Sequence, residues 1–341
     1  MAVRVAINGF GRIGRAFLRA AWHDPDVEIV AVNDLCDLEN LAYLLKYDSV
    51  YRQFPGQVSA EGGELVVGAK RIKVTAEKDP AKLPWKDLGI DVAVESTGLF
   101  TEYTKAKLHL DAGAKKVVIS APPKGDPIPG SAVVLVGINE EKLGTCSITS
   151  NGSCTTNAAS PVVAIIEETL DIEKALLDTI HSYTASQSLV DSPNKKDRRE
   201  GRAAAQNIVP SSTGAATTVT KAVTGVPFFD GISVRVPTVA GSYVDLTFVT
   251  KKDTTREEVN DILRAAAASP RWQGIFTTSD EPLVSSDIIG NPHASIADLE
   301  MTRVAGGNLV KVLAWYDNEM GYAHTLLRHV KGAGIQNSVI G

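Results

Sequence analysis

Cys154 stands in the run SNGSCTTN at 150–157, where an apolar, strand-like segment (146–150) gives way to a helical pattern that contains Pro161. A thiol at the first turn of a helix faces unpaired backbone N–H groups and the positive end of the helix dipole, and both favour the reactive thiolate. The hydroxyls of Ser153, Thr155 and Thr156 and the amides of Asn151 and Asn157 surround it with polar groups. That setting suits a nucleophile in acyl chemistry. The plainer fate of a free cysteine, a small buried hydrophobe, fits such neighbours badly. A nucleophilic thiol needs a base. Of the six histidines, His181 alone lies at the end of a strand-like run (176–184) among polar residues, where an imidazole could take the thiol proton and later act as acid or base. His23, His109, His293, His324 and His329 fall in helical or loop contexts and are expected at the surface or in packing.

The elements that must position this pair read as two halves. In the first, a strand at 3–7 is followed by NGFGRIGR (8–15) and an apolar helical pattern. Gly9 permits the tight turn, Gly11 lets a pyrophosphate approach the backbone, and Gly14 lets the helix pack closely on the strand. A second strand (27–32) ends at Asn33 and Asp34. Asp34 lies about 20 residues past the last glycine, where a carboxylate accepts both ribose hydroxyls and repels a 2′-phosphate, so NAD is favoured over NADP. A hairpin is expected at 65–74, further strands at 92–98 and 117–120, and a helix from near Thr101. Alternating strands and helices imply a doubly wound parallel sheet, with Asn8, Asp34, Thr97, Gly98 and Ser120 on the rim where ligands bind.

The second half carries strands at 232–238, 243–250 and 309–315 and an amphipathic helix at 255–267, a pattern for a mixed or antiparallel sheet covered by helices. Arg235, between Val234 and Val236, points toward a site rather than the core. SSTGAA (211–216) reads either as an anion cradle or as an ordinary helix N-cap. The mixed charges at 195–202 read as a solvated loop. The expected division is 1–152, 153–317 and a C-terminal helix at 318–341 that returns to the first domain.

With 341 residues the chain can bury two cores, and a net charge of −5 leaves no footprint for nucleic acid or a membrane surface. Three scattered cysteines (Cys36, Cys146, Cys154) make neither a disulfide framework nor a CxxC metal site, which points to a reducing compartment. No apolar run approaches about 18 residues. A cytoplasmic protein without a metal is the expectation.

NGFGRIGR, SNGSCTTN, HSYT, SSTGAA, RVPT and WYDNEMGY occur in this order along one chain, which resembles the phosphorylating glyceraldehyde-3-phosphate dehydrogenases over nearly its full length. The resemblance implies a Rossmann domain followed by a catalytic domain. It implies that Gly9, Gly11, Arg12, Ile13 and Gly14 bind the dinucleotide backbone and Asp34 the adenine ribose. Thr97, Gly98 and Ser120 would line the NAD pocket, Lys78 would replace an arginine that meets the adenine, and Asn318 would hold the nicotinamide carboxamide, with Tyr322 in the same motif. Cys154 matches the nucleophile and His181 its base. Thr184 and Arg235 match the site for the substrate's phosphate. Ser153, Thr155, Thr213 and Gly214 match the site for attacking inorganic phosphate, with Arg199 as the loop arginine and Arg198 and Arg202 as alternatives.

The implied reaction is a step of glycolysis: oxidation of glyceraldehyde 3-phosphate to 1,3-bisphosphoglycerate through a cysteine thioester. The implied assembly is a homotetramer in which the loop 182–206 reaches toward a neighbour's cofactor. Departures from the pattern include Gly152 for alanine, Ala158 for a second cysteine, Thr217-Thr218 after SSTGAA and residues 239–241 after RVPT. The atypical Ser192-Pro193 leaves dual NAD/NADP use open. The rival readings are an erythrose-4-phosphate dehydrogenase, a thiol hydrolase without redox chemistry and a non-catalytic NAD-binding sensor.

Overall fold

The computed structural model describes residues 1–195 and 197–335; Lys196 of the charged run and residues 336–341 of the expected C-terminal segment lie outside the described residues. The chain divides into two compact units, Met1–Gly152 with the segment from Ala323 onward, and Ser153–Tyr322. The return to the first unit thus falls at Ala323 rather than at Asn318. The reason is local: the Asn318 side chain accepts hydrogen bonds from Gly241 and Ser242, and a Cβ on Gly321 would lie 2.5 Å from the His293 carbonyl oxygen, so this turn is packed into the second unit.

The first unit runs β1 (Val3–Asn8), α1 (Arg12–Ala21), β2 (Val27–Asn33), α2 (Leu38–Lys46), β3 (Val58–Glu61), β4 (Glu64–Val67), β5 (Lys70–Thr75), β6 (Val92–Glu95), α3 (Tyr103–Ala106), α4 (Leu108–Asp111), β7 (Lys116–Ile119), β8 (Ser131–Val133) and β9 (Ile148–Ser150). Among the described residues these strands form one sheet in the order β3-β4-β5-β2-β1-β6-β7-β9-β8. All neighbours from β5 to β8 are parallel, and only the meander β3-β4-β5 is antiparallel. The central strands are apolar without alternation (Val5, Ala6 and Ile7; Val92, Ala93 and Val94), as a sheet covered on both faces requires. The helix expected from Thr101 is two short pieces, α3 and α4, meeting at Lys107.

The second unit runs α5 (Cys154–Leu170), β10 (Ile172–Ser182), β11 (Val209–Ser212), α6 (Ala215–Thr220), β12 (Phe229–Val236), β13 (Ser242–Thr250), α7 (Arg256–Ala267), β14 (Phe276–Ser279), β15 (Ser295–Ala305) and β16 (Leu309–Tyr316). α8 (Met320–Ile335) begins here and continues into the first unit. The strands form a mixed sheet in the order β11-β12-β10-β13-β16-β15-β14, with β10-β12 and β14-β15 parallel and the other pairs antiparallel. Strand β13 shows clean alternation: Val244, Leu246 and Phe248 are buried while Tyr243, Asp245 and Thr247 are half-exposed. Pro161 removes one N–H from the ladder of α5, a cost of about 3 kcal/mol. Burial of Val162, Val163, Ile165 and Ile166, at roughly 1.5–3 kcal/mol for each such side chain, outweighs it.

Candidate active site

Cys154 is the first residue of α5, behind an N-cap at Ser153 whose Oγ accepts from the Thr156 N–H at 3.0 Å. Gly152 before it has φ +64°, the left-handed region where a side chain is strained, so glycine in place of alanine suits this turn. His181 is the next-to-last residue of β10. Parallel pairing sets it beside Arg235 of β12, and Val209 of β11 pairs with Arg235 from the other side. Sequence separations of 27 and 54 residues therefore collapse into one row of contacts. The Cys154 Sγ lies 3.4 Å from His181 Nε2, and Arg235 Nη1 lies 2.8 Å from His181 Nδ1.

Nδ1 also lies 2.6 Å from the Ser182 carbonyl oxygen. A neutral imidazole cannot serve both partners through one nitrogen. Donating to Ser182 leaves Nε2 as a base facing the thiol; accepting from Arg235 puts the proton on Nε2 and makes it a donor. Burial pushes His181 down to about 3, and the Arg235 charge acts in the same direction against the Ser182 carbonyl. Burial also pushes the Cys154 thiol up, while Arg235, the N–H and hydroxyl of Thr155 and the thiol's own backbone N–H pull the other way. The helix N-terminus acts on the sulfur as its position in the sequence suggests, yet desolvation outweighs it.

The Thr155 hydroxyl lies 2.9 Å from the Tyr316 hydroxyl, which lies 2.9 Å from that of Thr179, and the Tyr316 ring meets His181 edge-on. Tyr316 lies in WYDNEMGY without a role read from it there, and Thr179 carries no motif spacing; their part here comes from the pairing of β10, β13 and β16. Arg235 keeps a buried Nε without a partner, and Gln187 keeps a buried Nε2 without one. Gln187 Oε1 accepts from the Thr184 N–H at 3.3 Å, and the Thr184 hydroxyl lies 3.1 Å from that of Ser186. Ser186 and Gln187 were not singled out by the sequence; their only signal is polar spacing after the strand that carries His181.

Thr213 accepts from the Ala215 N–H at 3.2 Å, and Gly214 caps α6 with open space where a Cβ would be. The Arg202 Nε donates to Asp191 at 2.9 Å, whereas Arg198 and Arg199 are exposed without a side-chain ion pair among the described residues. Asn318 has a fixed orientation. Its Oδ1 accepts from the Gly241 N–H at 3.2 Å and the Ser242 hydroxyl at 3.1 Å, and Ser242 in turn accepts from the Ser182 N–H beside His181. The amide NH2 is therefore the end left to meet a ligand. Tyr322 is buried.

In the first unit Gly9 has φ +94°, and a Cβ on Gly14 would lie 2.3 Å from the Gly9 carbonyl oxygen, so α1 can approach the turn only at a glycine. A Cβ on Gly11 would meet nothing within 4 Å, and α1 has no side-chain cap at its start, where the positive end of the helix dipole favours an anion. The Asp34 carboxylate accepts from the Phe10 N–H at 2.7 Å and the Cys36 N–H at 3.0 Å, which seats it beside the turn. Arg12 is tied to Asp48 at 2.8 Å and lies over the Tyr51 ring, while Ile13 and Ser120 are half-buried and Lys78 is exposed. Thr97 bonds the Glu95 carboxylate through both its N–H and its hydroxyl, next to an exposed Gly98. Of the histidines expected at the surface or in packing, His109 and His329 take the packing role: both are fully buried and hydrogen-bonded, His109 to Trp85 and Glu95 and His329 to Thr149 and Asn151.

A glycine turn with its carboxylate on a doubly wound sheet, and a second unit that pairs a thiol with an imidazole, place the chain among NAD-binding oxidoreductases. Residues 3–103 match the NAD binding domain of glyceraldehyde 3-phosphate dehydrogenase, and residues 153–318 match its C-terminal domain. A glyceraldehyde-3-phosphate dehydrogenase from Thermotoga maritima is 51% identical over 328 residues, covering 95% of this chain and 97% of that protein. Those from Geobacillus stearothermophilus and Zymomonas mobilis are 47% and 46% identical over 330 and 331 residues, each covering 96% of this chain and 97% of the relative. The chain belongs to the glyceraldehyde-3-phosphate dehydrogenase family.

Proposed function

We propose that the protein oxidises D-glyceraldehyde 3-phosphate to 1,3-bisphosphoglycerate with reduction of NAD, through a thioester on Cys154. The observation that carries this reading is the row Cys154–His181–Arg235, in which a thiol, a base and a guanidinium with a spare buried donor follow one another. The residues present fit NAD: the turn at Gly9 and Gly14 has no room for a side chain, the start of α1 offers N–H groups with open space at Gly11, and Asp34 stands beside them. Gly9, Gly11, Arg12, Ile13 and Gly14 would hold the pyrophosphate, Asp34 the ribose, Lys78 the adenine side, and Thr97, Gly98, Ser120, Asn318 and Tyr322 the remainder. When bound, NAD supplies the acceptor for the hydride that leaves the substrate carbon.

The chain's own residues do the rest. The Cys154 sulfur bonds to the aldehyde carbon as its proton passes by way of His181 Nε2 to the carbonyl oxygen, which becomes the hydroxyl of a hemithioacetal and leaves His181 neutral. His181, made basic at Nε2 by donating Nδ1–H to Ser182, takes that hydroxyl proton as the carbon is oxidised to the thioester. Inorganic phosphate then attacks the thioester carbon, the C–S bond breaks and Cys154 is regenerated. Arg235 and Thr184, with Ser186 beside them, would bind the substrate's phosphate. Ser153, Thr155, Thr213 and Gly214 would receive the attacking phosphate, and Arg199 is the loop arginine in this reading because Arg202 is held by Asp191.

A homotetramer fits the outer face of the second sheet, where Leu176 and Leu309 are exposed on strands whose opposite faces are buried and Ile232 is exposed on the neighbouring β12. A cytoplasmic setting fits three free cysteines and the lack, among the described residues, of a helix long and apolar enough to cross a membrane. Nicotinamide absorbance with NAD and glyceraldehyde 3-phosphate, with and without inorganic phosphate, tests the proposal. Reduction that turns over only with phosphate is expected. Equal turnover without phosphate would instead mark an enzyme that releases its acyl group to water, and silence in both would mark a binding protein.

A further inference from the structure

Glu95 ends β6 with its side chain 0% exposed, a carboxylate placed inside the core of the first unit. Both oxygens are saturated. Oε1 accepts from the Thr97 N–H at 2.8 Å and from the Thr97 hydroxyl; Oε2 accepts from Asn8 Nδ2 at 2.6 Å and lies 3.0 Å from His109 Nε2. Behind His109 stands Trp85, whose indole Nε1 lies 3.1 Å from His109 Nδ1. An indole N–H only donates, so Nδ1 carries no proton and Nε2–H points at Glu95. Asn8 is fixed in the same way: its Oδ1 accepts from Asn33 Nδ2 at 2.7 Å, which turns its NH2 toward Glu95. Four donors thus converge on one carboxylate, each held from behind.

What the carboxylate holds in turn is the wall of the glycine turn. A Cβ on Gly9 would lie 2.7 Å from the Thr97 nitrogen, and the Ser96 hydroxyl donates to the Gly9 carbonyl at 2.7 Å. The Thr97 hydroxyl also accepts from the Leu99 N–H at 3.0 Å, so the turn 96–99 has one conformation set from Glu95. The geometry points to Glu95, backed by His109 and Trp85, as a positioning residue for NAD: it sets the backbone of Thr97 and, through it, that of Gly9. This inference rests on the reading that Thr97 and Gly98 border the NAD site.

The test is calorimetric titration of the full chain with NAD, alongside kcat and the KM values for both substrates. Glu95→Gln swaps one acceptor for a donor that faces the Asn8 NH2 and His109 Nε2–H; it is expected to weaken NAD about tenfold, with kcat at saturating NAD and the KM for glyceraldehyde 3-phosphate within about twofold. His109→Gln keeps, in one planar amide, an acceptor for Trp85 and a donor for Glu95, and should bind NAD within about threefold of the parent, whereas His109→Phe fills the space without either and should lose about tenfold. NAD binding by His109→Phe equal to that of the parent, or by His109→Gln as weak as by His109→Phe, overturns the inference, because packing alone would then explain the cluster. The His109 pair decides the matter if Glu95→Gln does not fold. Thr97→Ala separates the two levels. A loss of NAD affinity in Thr97→Ala but not in Glu95→Gln defeats the positioning role alone; no loss in either defeats the reading of the site and the inference with it.

Discussion

Glu95 and Arg235 are both charged groups near the ends of strands, one on the cofactor side and one beside the thiol, and the protein treats them in opposite ways. Glu95 is fully buried with donors on both oxygens, each donor held from behind. Arg235 is only half-buried, leans on a histidine that cannot neutralise it, and keeps a buried N–H without an acceptor. A finished network costs nothing when a ligand arrives, and it fixes geometry. An unfinished one leaves a cation with unspent hydrogen-bonding capacity, which an incoming phosphate can satisfy. The dinucleotide turn is preformed, whereas the chemical site holds unspent donors in reserve.

Substitutions can break that contrast in a graded way. Cys154→Ala should abolish NADH formation while NAD affinity, measured by titration, stays within about twofold, because the sulfur takes part only in covalent steps. Residual turnover near the parent's would remove the thiol from the scheme. His181→Asn should lower kcat by about 10²–10⁴, the usual worth of a positioned base; a loss below tenfold would mean that another group takes the proton. On the preformed side, Gly14→Ala forces a Cβ to within 2.3 Å of the Gly9 carbonyl, so denaturant unfolding should show a loss of about 1–3 kcal/mol together with weaker NAD binding. Unchanged values would show that α1 can slide. Asp34→Ala should reduce the preference for NAD over NADP by about tenfold, the worth of a charge-assisted hydrogen bond and the lost repulsion. An unaltered preference would shift the decision to the loop around Ser192 and Pro193.

A different readout is acid stability. His181 and His329 are each held near 3 in the folded state, against about 6.5 when unfolded. Between those values the unfolded chain binds protons that the folded chain refuses, so stability is complete above about pH 6.5 and falls as the pH drops toward 3, at about 1.4 kcal/mol per pH unit for each imidazole. In His329→Leu the slope of unfolding free energy against pH should shrink by one such increment. An unchanged slope would place the acid sensitivity elsewhere.

The sequence made the local features legible. Glycines at fixed offsets before a helix, a carboxylate after the next strand and a cysteine at a helix start are patterns within a short window, and the structure keeps them together. Features that depend on which strands become neighbours were not legible. His109 reads only as a surface or packing residue until β6 brings Glu95 beside it, and Tyr316 lies 161 residues from Thr155. The direction of the Cys154 shift also escaped, because a helix N-terminus can be read from spacing and the burial that opposes it cannot. The strands β14 and β15 left no clear period in the sequence; β15 carries a register irregularity between Asp298 and Arg303 that breaks its alternation.

In the proposed reaction Cys154 carries the acyl group until phosphate removes it. Rapid mixing of the enzyme with NAD and glyceraldehyde 3-phosphate in the absence of phosphate, followed by acid quench and peptide mass spectrometry, tests it directly. A burst of about one NADH per site is expected, with an acyl adduct on the peptide that contains Cys154 and loss of that adduct when phosphate is added before the quench. Steady NADH formation with no adduct on that peptide would contradict it.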